Sequence, residues 1–262
     1  MLVYPDTKIY VLCPSGRRSD TADFCHQLCS KIVSLGVEAY MVYLPGGGDN
    51  ISVDDFYLRY NLPYDTGVED SAKNILIVPE AAATYLYMTR ETRRVLWWVD
   101  VDNFFRDIAL KAVSHFDNLL SLPMAKFFCF QKCDEDIEHW TQSEYAKLFL
   151  KVNKVPDEKI YHIGDYINPM LVKSHNSVDF KRKKNIIAFN AATSSKIMPK
   201  LASSIPKVNW LALQDSQAVD APKLLADAKI YVDFGDFSSK DMMPRKAAVL
   251  GCVVITGKKG SA

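Results

Sequence analysis

Ile230-Tyr-Val-Asp233-Phe-Gly235-Asp236-Phe-Ser238-Ser239-Lys240-Asp241-Met-Met-Pro244-Arg245-Lys246-Ala-Ala-Val-Leu250-Gly-Cys-Val253-Val-Ile-Thr256 decides how the chain is read. Ile230–Asp233 is a short apolar run with a strand's length. Pro244–Leu250 has helical character, and Val253–Thr256 is a second apolar run. Two strands joined through a helix belong side by side in a parallel sheet. The loop between them is polar and carries Lys240 and Arg245. Pro244 suits the first turn of the helix, where a missing N–H leaves no bond unmade. Free N–H groups of that turn, with two cations beside them, make a phosphate site. An exposed loop with solvated cations is the plainer reading of the same residues.

Outward from this stretch the pattern repeats. Asn185–Phe189 and Val208–Leu213 read as strands, with helices over Ser195–Ser203 and Pro222–Ala228. Earlier in the chain, strands are expected over Lys8–Cys13, Val37–Leu44, Asn74–Val78, Val95–Val99, Lys126–Phe130 and Ile160–Ile163. Helices are expected over Asp20–Leu35, Ala81–Arg90 and Ser143–Leu150, and Pro45–Asp49 reads as a flexible loop. The charge run Lys181-Arg-Lys-Lys184 reads as a solvated linker between the two series. The expected fold is therefore α/β, with two Rossmann-like doubly wound parallel-sheet domains, residues 1–178 and 179–262, facing a cleft. Ligands of such sheets bind at the carboxyl ends of the strands. Polar residues just past those ends are the candidates for chemistry: Asp20, Glu80, Asp100, Asp102, Asp165, the loop from Asn190 to Lys196, and Asp236 to Arg245.

Composition narrows the function classes. The 262 residues hold 32 Lys and Arg against 31 Asp and Glu, a net charge of +1, with 48% hydrophobic and 24% charged residues. That is an ordinary globular balance, and it gives no support for a nucleic-acid partner, whose phosphates usually call for a basic excess. The N-terminus lacks a basic start and an uninterrupted apolar stretch, and the longest apolar run, Ala247–Ile255, is half a membrane span. The expected location is the cytoplasm, with peripheral membrane contact left open. Of six cysteines, Cys25 and Cys29 are four residues apart, as are Cys129 and Cys133, but tight Cys-x-x-Cys knuckles are absent, so the six read as buried free thiols and no metal is expected. Pro14-Ser-Gly-Arg-Arg18 after the first strand lacks the glycine fingerprint of a dinucleotide site.

The stretch Asp233–Ala262 resembles the nucleotide-sugar half of bacterial glycosyltransferases with the two-Rossmann B fold, of the capsule and surface-polysaccharide type. Many of these carry a helix reading Pro-Arg-Glu-Ala-Ala before a glycine and an apolar strand. The N-terminal half is similar too, at His26-Gln-Leu28, Val78-Pro-Glu80, Trp97-Trp-Val-Asp100-Val-Asp-Asn103, Gln142-Ser-Glu-Tyr-Ala146 and Gly164-Asp-Tyr-Ile-Asn168. The resemblance implies transfer of a sugar from a nucleotide-sugar donor to a glycan or lipid-linked acceptor, with no metal and no cofactor. It assigns donor binding to Asn190, Lys196, Ser238, Ser239, Lys240, Arg245 and Lys246. A general base for the acceptor hydroxyl is sought among Asp20, Glu80, Asp100 and Asp102; local capping is the alternative role for each.

Two departures stand out. Lys246 occupies the place where the family usually has the Glu that holds the donor's ribose hydroxyls, and an ammonium has only donors. The sequence also stops after Gly260-Ser261, before the family's usual closing helices, which makes the second domain small or the chain part of a longer polypeptide. A non-catalytic glycosyltransferase-like binding module and another sugar enzyme such as an epimerase are the competing readings. Trp97, Trp98, Phe104 and Phe105 fit either a core or a sugar-stacking surface. His115, His139, His162 and His175 read as structural or surface residues.

Overall fold

A computed structural model describes residues 1–14, 18–44, 53–105, 128, 130, 136–164, 167, 169–191, 197–213, 221–235, 237 and 242–259. The chain divides into two compact units, Met1–Gly164 and Asp165–Ala262.

The first unit is built on a seven-stranded sheet. Its strands are β1 (Ile9–Pro14), β2 (Ala39–Leu44), β3 (Tyr64–Asp65), β4 (Ile75–Pro79), β5 (Arg93–Trp98), β6 (Ile137–Thr141) and β7 (Ile160–His162). They lie in the order β3-β2-β1-β4-β5-β6-β7, and every pairing is parallel. The chain reverses its direction of travel between β1 and β4, the switch point of a doubly wound sheet. β1 and β4 are buried almost throughout, as central parallel strands covered on both faces must be. Helix α1 (Asp20–Ser34) follows β1. Ser19 caps it by accepting the Ala22 N–H at 3.1 Å, and Gly36 leaves it at a φ of +79°. A short helix α2 (Asp55–Leu58) precedes β3, and α3 (Glu144–Val152) follows β6, capped by Ser143. One core joins Tyr10, Leu12, Leu76, Leu96 and Trp98 of the sheet to Ala146 and Leu150 of α3.

The second unit holds a four-stranded parallel sheet of β8 (Lys184–Asn190), β9 (Asn209–Leu213), β10 (Ala228–Asp233) and β11 (Val253–Thr256), ordered β11-β10-β8-β9. Its helices are α4 (Pro169–His175), α5 (Met198–Ser204), α6 (Ala221–Asp227) and α7 (Met242–Val249). Its core packs Ala188 and Tyr231 of the sheet against Leu225, Met243 and Ala247 of the helices.

Several sequence expectations meet a different structure. The stretch expected as a helix over Ala81–Arg90 forms only a 3₁₀ segment, Glu80–Tyr85, with Ala82 outside helical φ/ψ. At the far end of the stretch the Asp70 carboxylate accepts the backbone N–H groups of Arg90, Glu91 and Thr92, which holds the turn into β5. The run Lys181–Lys184 is not uniformly solvated. Lys183 is buried, and its Nζ donates to the carbonyls of Leu225, Ala226 and Ala228 at 3.2, 2.9 and 2.7 Å. The boundary between units falls at Gly164–Asp165 rather than near residue 178, because α4 packs on α7 and His175 Nδ1 lies 2.6 Å from the Val249 carbonyl. The strand expected over Lys126–Phe130 lies outside the described residues except for Phe128 and Phe130. Trp97, Trp98 and Phe104 are buried, and only Phe105 is exposed.

Candidate functional site

Because all strands of the second sheet are parallel, their carboxyl ends share one edge. β8 ends at Asn190 and β10 at Asp233, and the register Val232 to Phe189 sets these two residues side by side. Asp233 is completely buried. Its Oδ2 accepts from the Tyr231 hydroxyl at 2.9 Å and its Oδ1 from the Gly235 N–H at 3.0 Å. Its backbone carbonyl accepts from the Gly257 N–H at 3.0 Å. Asp233 thus ties the turn after β10 to the exit of β11, a structural role.

From that turn the chain enters α7. Its first turn holds no acidic residue, and Arg245 lies within it. Pro244 is the third residue of this helix rather than the first, still within the turn whose N–H groups have no intrahelical partner. Arg245 and Lys246 are both half-buried, and both are engaged in interactions within the protein. A first turn that carries a cation and no acid favours an anion at its N–H groups, while Asp241, which directly precedes it in the sequence, lies outside the described residues. Lys196, Ser238, Ser239 and Lys240 lie outside the described residues, so Asn190, Arg245 and Lys246 are the donor-side candidates that the structure places.

In the first unit the carboxyl edge gathers the acidic candidates. Asp20 opens α1 just after β1, Glu80 follows β4, and Asp100 follows β5, with β1, β4 and β5 adjacent in the sheet. Their environments differ. Glu80 is wholly buried; its Oε2 accepts from the Val99 N–H at 2.8 Å and its Oε1 from Asn103 Nδ2 at 3.4 Å. Burial pushes its carboxyl up to about 8, with the Asp100 charge adding to the rise and the Val99 bond opposing it. Glu80 holds the loop after β5 and is sealed from solvent. Asp100 is half-exposed, and its Oδ1 accepts from the Asp102 N–H at 2.9 Å, which starts the helical turn 101–105. Asp20 is half-exposed in the first turn of α1.

Behind this edge lies a group that sequence reasoning left as separate thiols. Cys13, Cys25 and Cys29 are buried and free, as is Cys252 in the second unit; Cys129 and Cys133 lie outside the described residues. Cys25 Sγ donates to the Leu12 carbonyl and Cys13 Sγ to the Pro14 carbonyl, each at 3.4 Å, and the neighbouring Cys25 and His26 side chains hold the Cys13 thiol below its ordinary range despite burial. His26 Nδ1 sits 2.7 Å from the Ala22 carbonyl and Nε2 3.0 Å from the Tyr43 hydroxyl, and its ring stacks on Tyr57 at 4.2 Å. His139 is buried and lies 3.0 Å from Trp98 Nε1, which donates to its Nδ1. Burial pulls that imidazole down to about 4, so it is neutral and structural. Among the described residues no cluster of three or more His, Cys, Asp or Glu side chains is arranged to hold a metal ion, and no helix is long and apolar enough to cross a membrane.

No family model and no curated protein matches the chain. Solved structures do. HepE of Anabaena in complex with UDP-glucose overlays with a TM-score of 0.53 at 10% identity, covering 97% of this chain and 81% of that one. An alpha-glucosyltransferase in complex with UDP and a 13-mer DNA overlays at 0.51 and 11%, covering 95% of this chain and 79% of that one. A variant of TarM from S. aureus, with UDP bound, overlays at 0.48 and 10%, covering 74% of this chain; the chain spans 43% of TarM's length, and so loose an overlay carries no argument. At these identities the likeness establishes the fold: an α/β chain with parallel sheets, of the kind seen in glycosyltransferases of the B type.

Proposed function

We propose that the chain is a glycosyltransferase of the B type, two Rossmann-like units that move a sugar from a nucleotide-sugar donor to a glycan or lipid-linked acceptor in surface-polysaccharide or other glycan synthesis in the cytoplasm. The observation that carries the reading is the start of α7. It offers backbone N–H groups and Arg245 at the carboxyl edge of the second sheet, with no acid in its first turn. Breaking the bond from the anomeric carbon to a nucleoside diphosphate leaves negative charge on the departing phosphate and positive charge on the ring. A preorganised set of N–H groups and cations stabilises that leaving group without a metal or cofactor. Arg245 takes the diphosphate, with Asn190 beside it; Lys196, Ser238, Ser239 and Lys240 are assigned to the same donor side by resemblance.

For the acceptor hydroxyl, Asp100 is the preferred base. It is half-exposed at the carboxyl edge of the first sheet, whereas Glu80 is sealed and committed to Val99 and Asn103. Asp20 is the second choice. Peripheral membrane contact follows only if the acceptor is lipid-linked.

Lys246 favours one competing reading, a binding module without transfer activity, because an ammonium accepts no hydrogen bond from a ribose hydroxyl. UDP is the first probe, since both HepE and the alpha-glucosyltransferase hold it. Thermal shift with UDP and UDP-sugars, followed by assay of UDP release with glycan acceptors and with EDTA present, tests the proposal. Transfer that survives EDTA supports it. A parent protein that ignores every nucleotide, beside a Lys246→Glu variant that binds one, supports the module.

A further inference from the structure

Past the carboxyl ends of β2 and β3, on the opposite flank of the first sheet from Asp100, lies a cavity of about 520 Å³. Its walls are Tyr43, Tyr57 and Tyr64, and its polar lining includes Asn61, Asp65 and Thr66. We propose that this cavity binds an uncharged sugar ring. That the ring belongs to the acceptor rests on the glycosyltransferase reading above; the carbohydrate chemistry of the cavity does not.

Two of the three aromatic walls are held in place from behind. The Tyr43 hydroxyl is 3.0 Å from His26 Nε2, and the Tyr57 hydroxyl donates to the Ser19 carbonyl at 3.1 Å while its ring stacks on His26. Tyr64 stands 6.4 Å from Tyr43, ring centre to ring centre, at 53°, and is 69% exposed. A tyrosine so exposed contributes little to the core. Its ring beside Tyr43 offers a π-face of the kind that packs on the apolar C–H face of a pyranose. The polar groups supply the complement. Asn61 sits in the left-handed region at a φ of +46°, a position that a non-glycine residue adopts at a cost. Among the described residues its side-chain amide makes no hydrogen bond. Asp65 accepts the Thr66 and Gly67 N–H groups through Oδ1, and among the described residues its Oδ2 makes no hydrogen bond. Amide, carboxylate and hydroxyl groups around an aromatic wall match the alternating C–H faces and O–H edges of a sugar, and the volume is in the range of small-ligand sites.

The charge of the lining selects among sugars. Among the described residues it contains one carboxylate, Asp65, and no lysine or arginine. A sugar phosphate or a lipid diphosphate would meet that carboxylate with none of these cations beside it, which favours a neutral ring.

Saturation-transfer NMR on the whole chain tests this, with methyl glucoside, methyl galactoside and N-acetylglucosamine as probes and inorganic phosphate as the charged control. At least one sugar should give ring-proton signals that phosphate does not compete away. Tyr64→Ala should weaken its binding by about tenfold or more, as loss of an aromatic anchor does. Asn61→Ala should weaken it less. Melting temperature should hardly change in Tyr64→Ala, since that side chain is exposed, and UDP affinity should not change in either variant. Absence of sugar signals in the parent protein, full affinity in Tyr64→Ala, or displacement by phosphate would each overturn the assignment. UDP binding without sugar binding sinks this site and leaves the donor reading standing; sugar binding without UDP binding does the reverse.

Discussion

Glu80 Oε2 accepts a hydrogen bond from the Val99 N–H at 2.8 Å, across from the end of one central strand to the end of its neighbour. The bond fixes the exit of β5, where Asp100 stands, to the exit of β4. The carboxyl is wholly buried, and burial has pushed it up to about 8 even though the Val99 bond itself favours the ionised form. In the unfolded chain the same group titrates near the ordinary 4.5. The folded state therefore binds the extra proton between those values, and stability falls as pH rises through that window, with a limiting slope of about 1.4 kcal/mol per pH unit. Glu80→Gln keeps an oxygen for Val99 and cannot ionise. Its denaturation midpoint should lose this slope, so that the variant gains on the parent from pH 5 to pH 8. Urea unfolding at a series of pH values measures the difference, and parallel curves for the two proteins would refute the assignment.

His139 produces a slope of the opposite sign. Its imidazole is held down at about 4 by burial, against an ordinary 6.5, so it is the unfolded chain that takes up the proton in between. Its contribution is present above pH 6.5 and is lost as pH falls toward 4. In the parent the two slopes oppose each other between pH 4.5 and 6.5, and their sum should be nearly flat there. His139→Gln removes one slope and keeps an acceptor for Trp98 Nε1, whose present bond is 3.0 Å. The variant should then lose stability with rising pH from about 4.5 onward. A flat profile in the variant would show that His139 is not the source.

Much of this fold is legible in the sequence because central parallel strands are continuous apolar runs, and the edge strand β11 shares that character although Val253 and Ile255 are exposed. β1, β4, β10 and β11 appear as Ile-Tyr-Val-Leu, Ile-Leu-Ile-Val, Ile-Tyr-Val and Val-Val-Ile, and the structure places strands on all four. β6 escapes that signal. Ile137-Glu-His-Trp-Thr141 alternates, and one of its buried positions is a histidine satisfied by Trp98, a partner that only tertiary contact supplies. Helix α4 escapes for a similar reason: Pro169–His175 is short and largely exposed, and is held through His175 and Val249. Among the site candidates, the strand ends placed Asp20, Glu80 and Asp100 on one edge of the sheet. What the pattern could not say is that Glu80 faces inward, because burial depends on how β4 and β5 pack. The tyrosine cavity is also invisible in sequence, since its three aromatic walls come from three separate elements.

Lys183 tests whether a buried ammonium is structural. It supplies three hydrogen bonds to the carbonyls at and after the end of α6, where the helix has no N–H groups left to offer. Lys183→Met preserves most of the volume, takes the ammonium donor from the Ala226 carbonyl, and leaves those of Leu225 and Ala228 with the weak Cys252 thiol, which should cost about 1–3 kcal/mol. The neighbouring pair of Lys184 with Asp227, 2.7 Å apart and well exposed, is the contrast. Lys184→Met should cost less than about 1 kcal/mol. Chemical denaturation of both variants decides it, and equal losses would argue that Lys183 does no more than its solvated neighbours.

Gly251 and Gly36 separate backbone strain from crowding. Both follow helices in the left-handed region, at φ of +76° and +79°. A methyl group on Gly36 meets nothing within 4 Å, whereas one on Gly251 would run into the Phe180 ring. Gly36→Ala should therefore cost only the left-handed penalty of about 1–2 kcal/mol. Gly251→Ala should cost clearly more, and Phe180→Ala in the same chain should return part of the excess, Phe180 being 54% exposed. Equal costs at the two glycines would remove the crowding argument.

Arg245 is where the proposed activity is most exposed to experiment. It lies in the first turn of α7, which contains no acid, and in the proposed function its guanidinium and the N–H groups there act on the diphosphate in concert. One charge-assisted bond is worth about 1.5–3 kcal/mol, so Arg245→Ala should weaken UDP binding by roughly tenfold to a hundredfold. Uridine, which lacks the diphosphate, should bind the two proteins alike, and rising salt should narrow their difference for UDP. Asp100→Asn should leave UDP affinity intact while abolishing transfer, since its proposed part is to take the acceptor's proton. Calorimetric titration of UDP and uridine into all three proteins reads the binding pattern, and UDP release with a glycan acceptor reads the loss of transfer in Asp100→Asn. Undiminished UDP affinity in Arg245→Ala would move the diphosphate away from α7 and take the leaving-group mechanism with it.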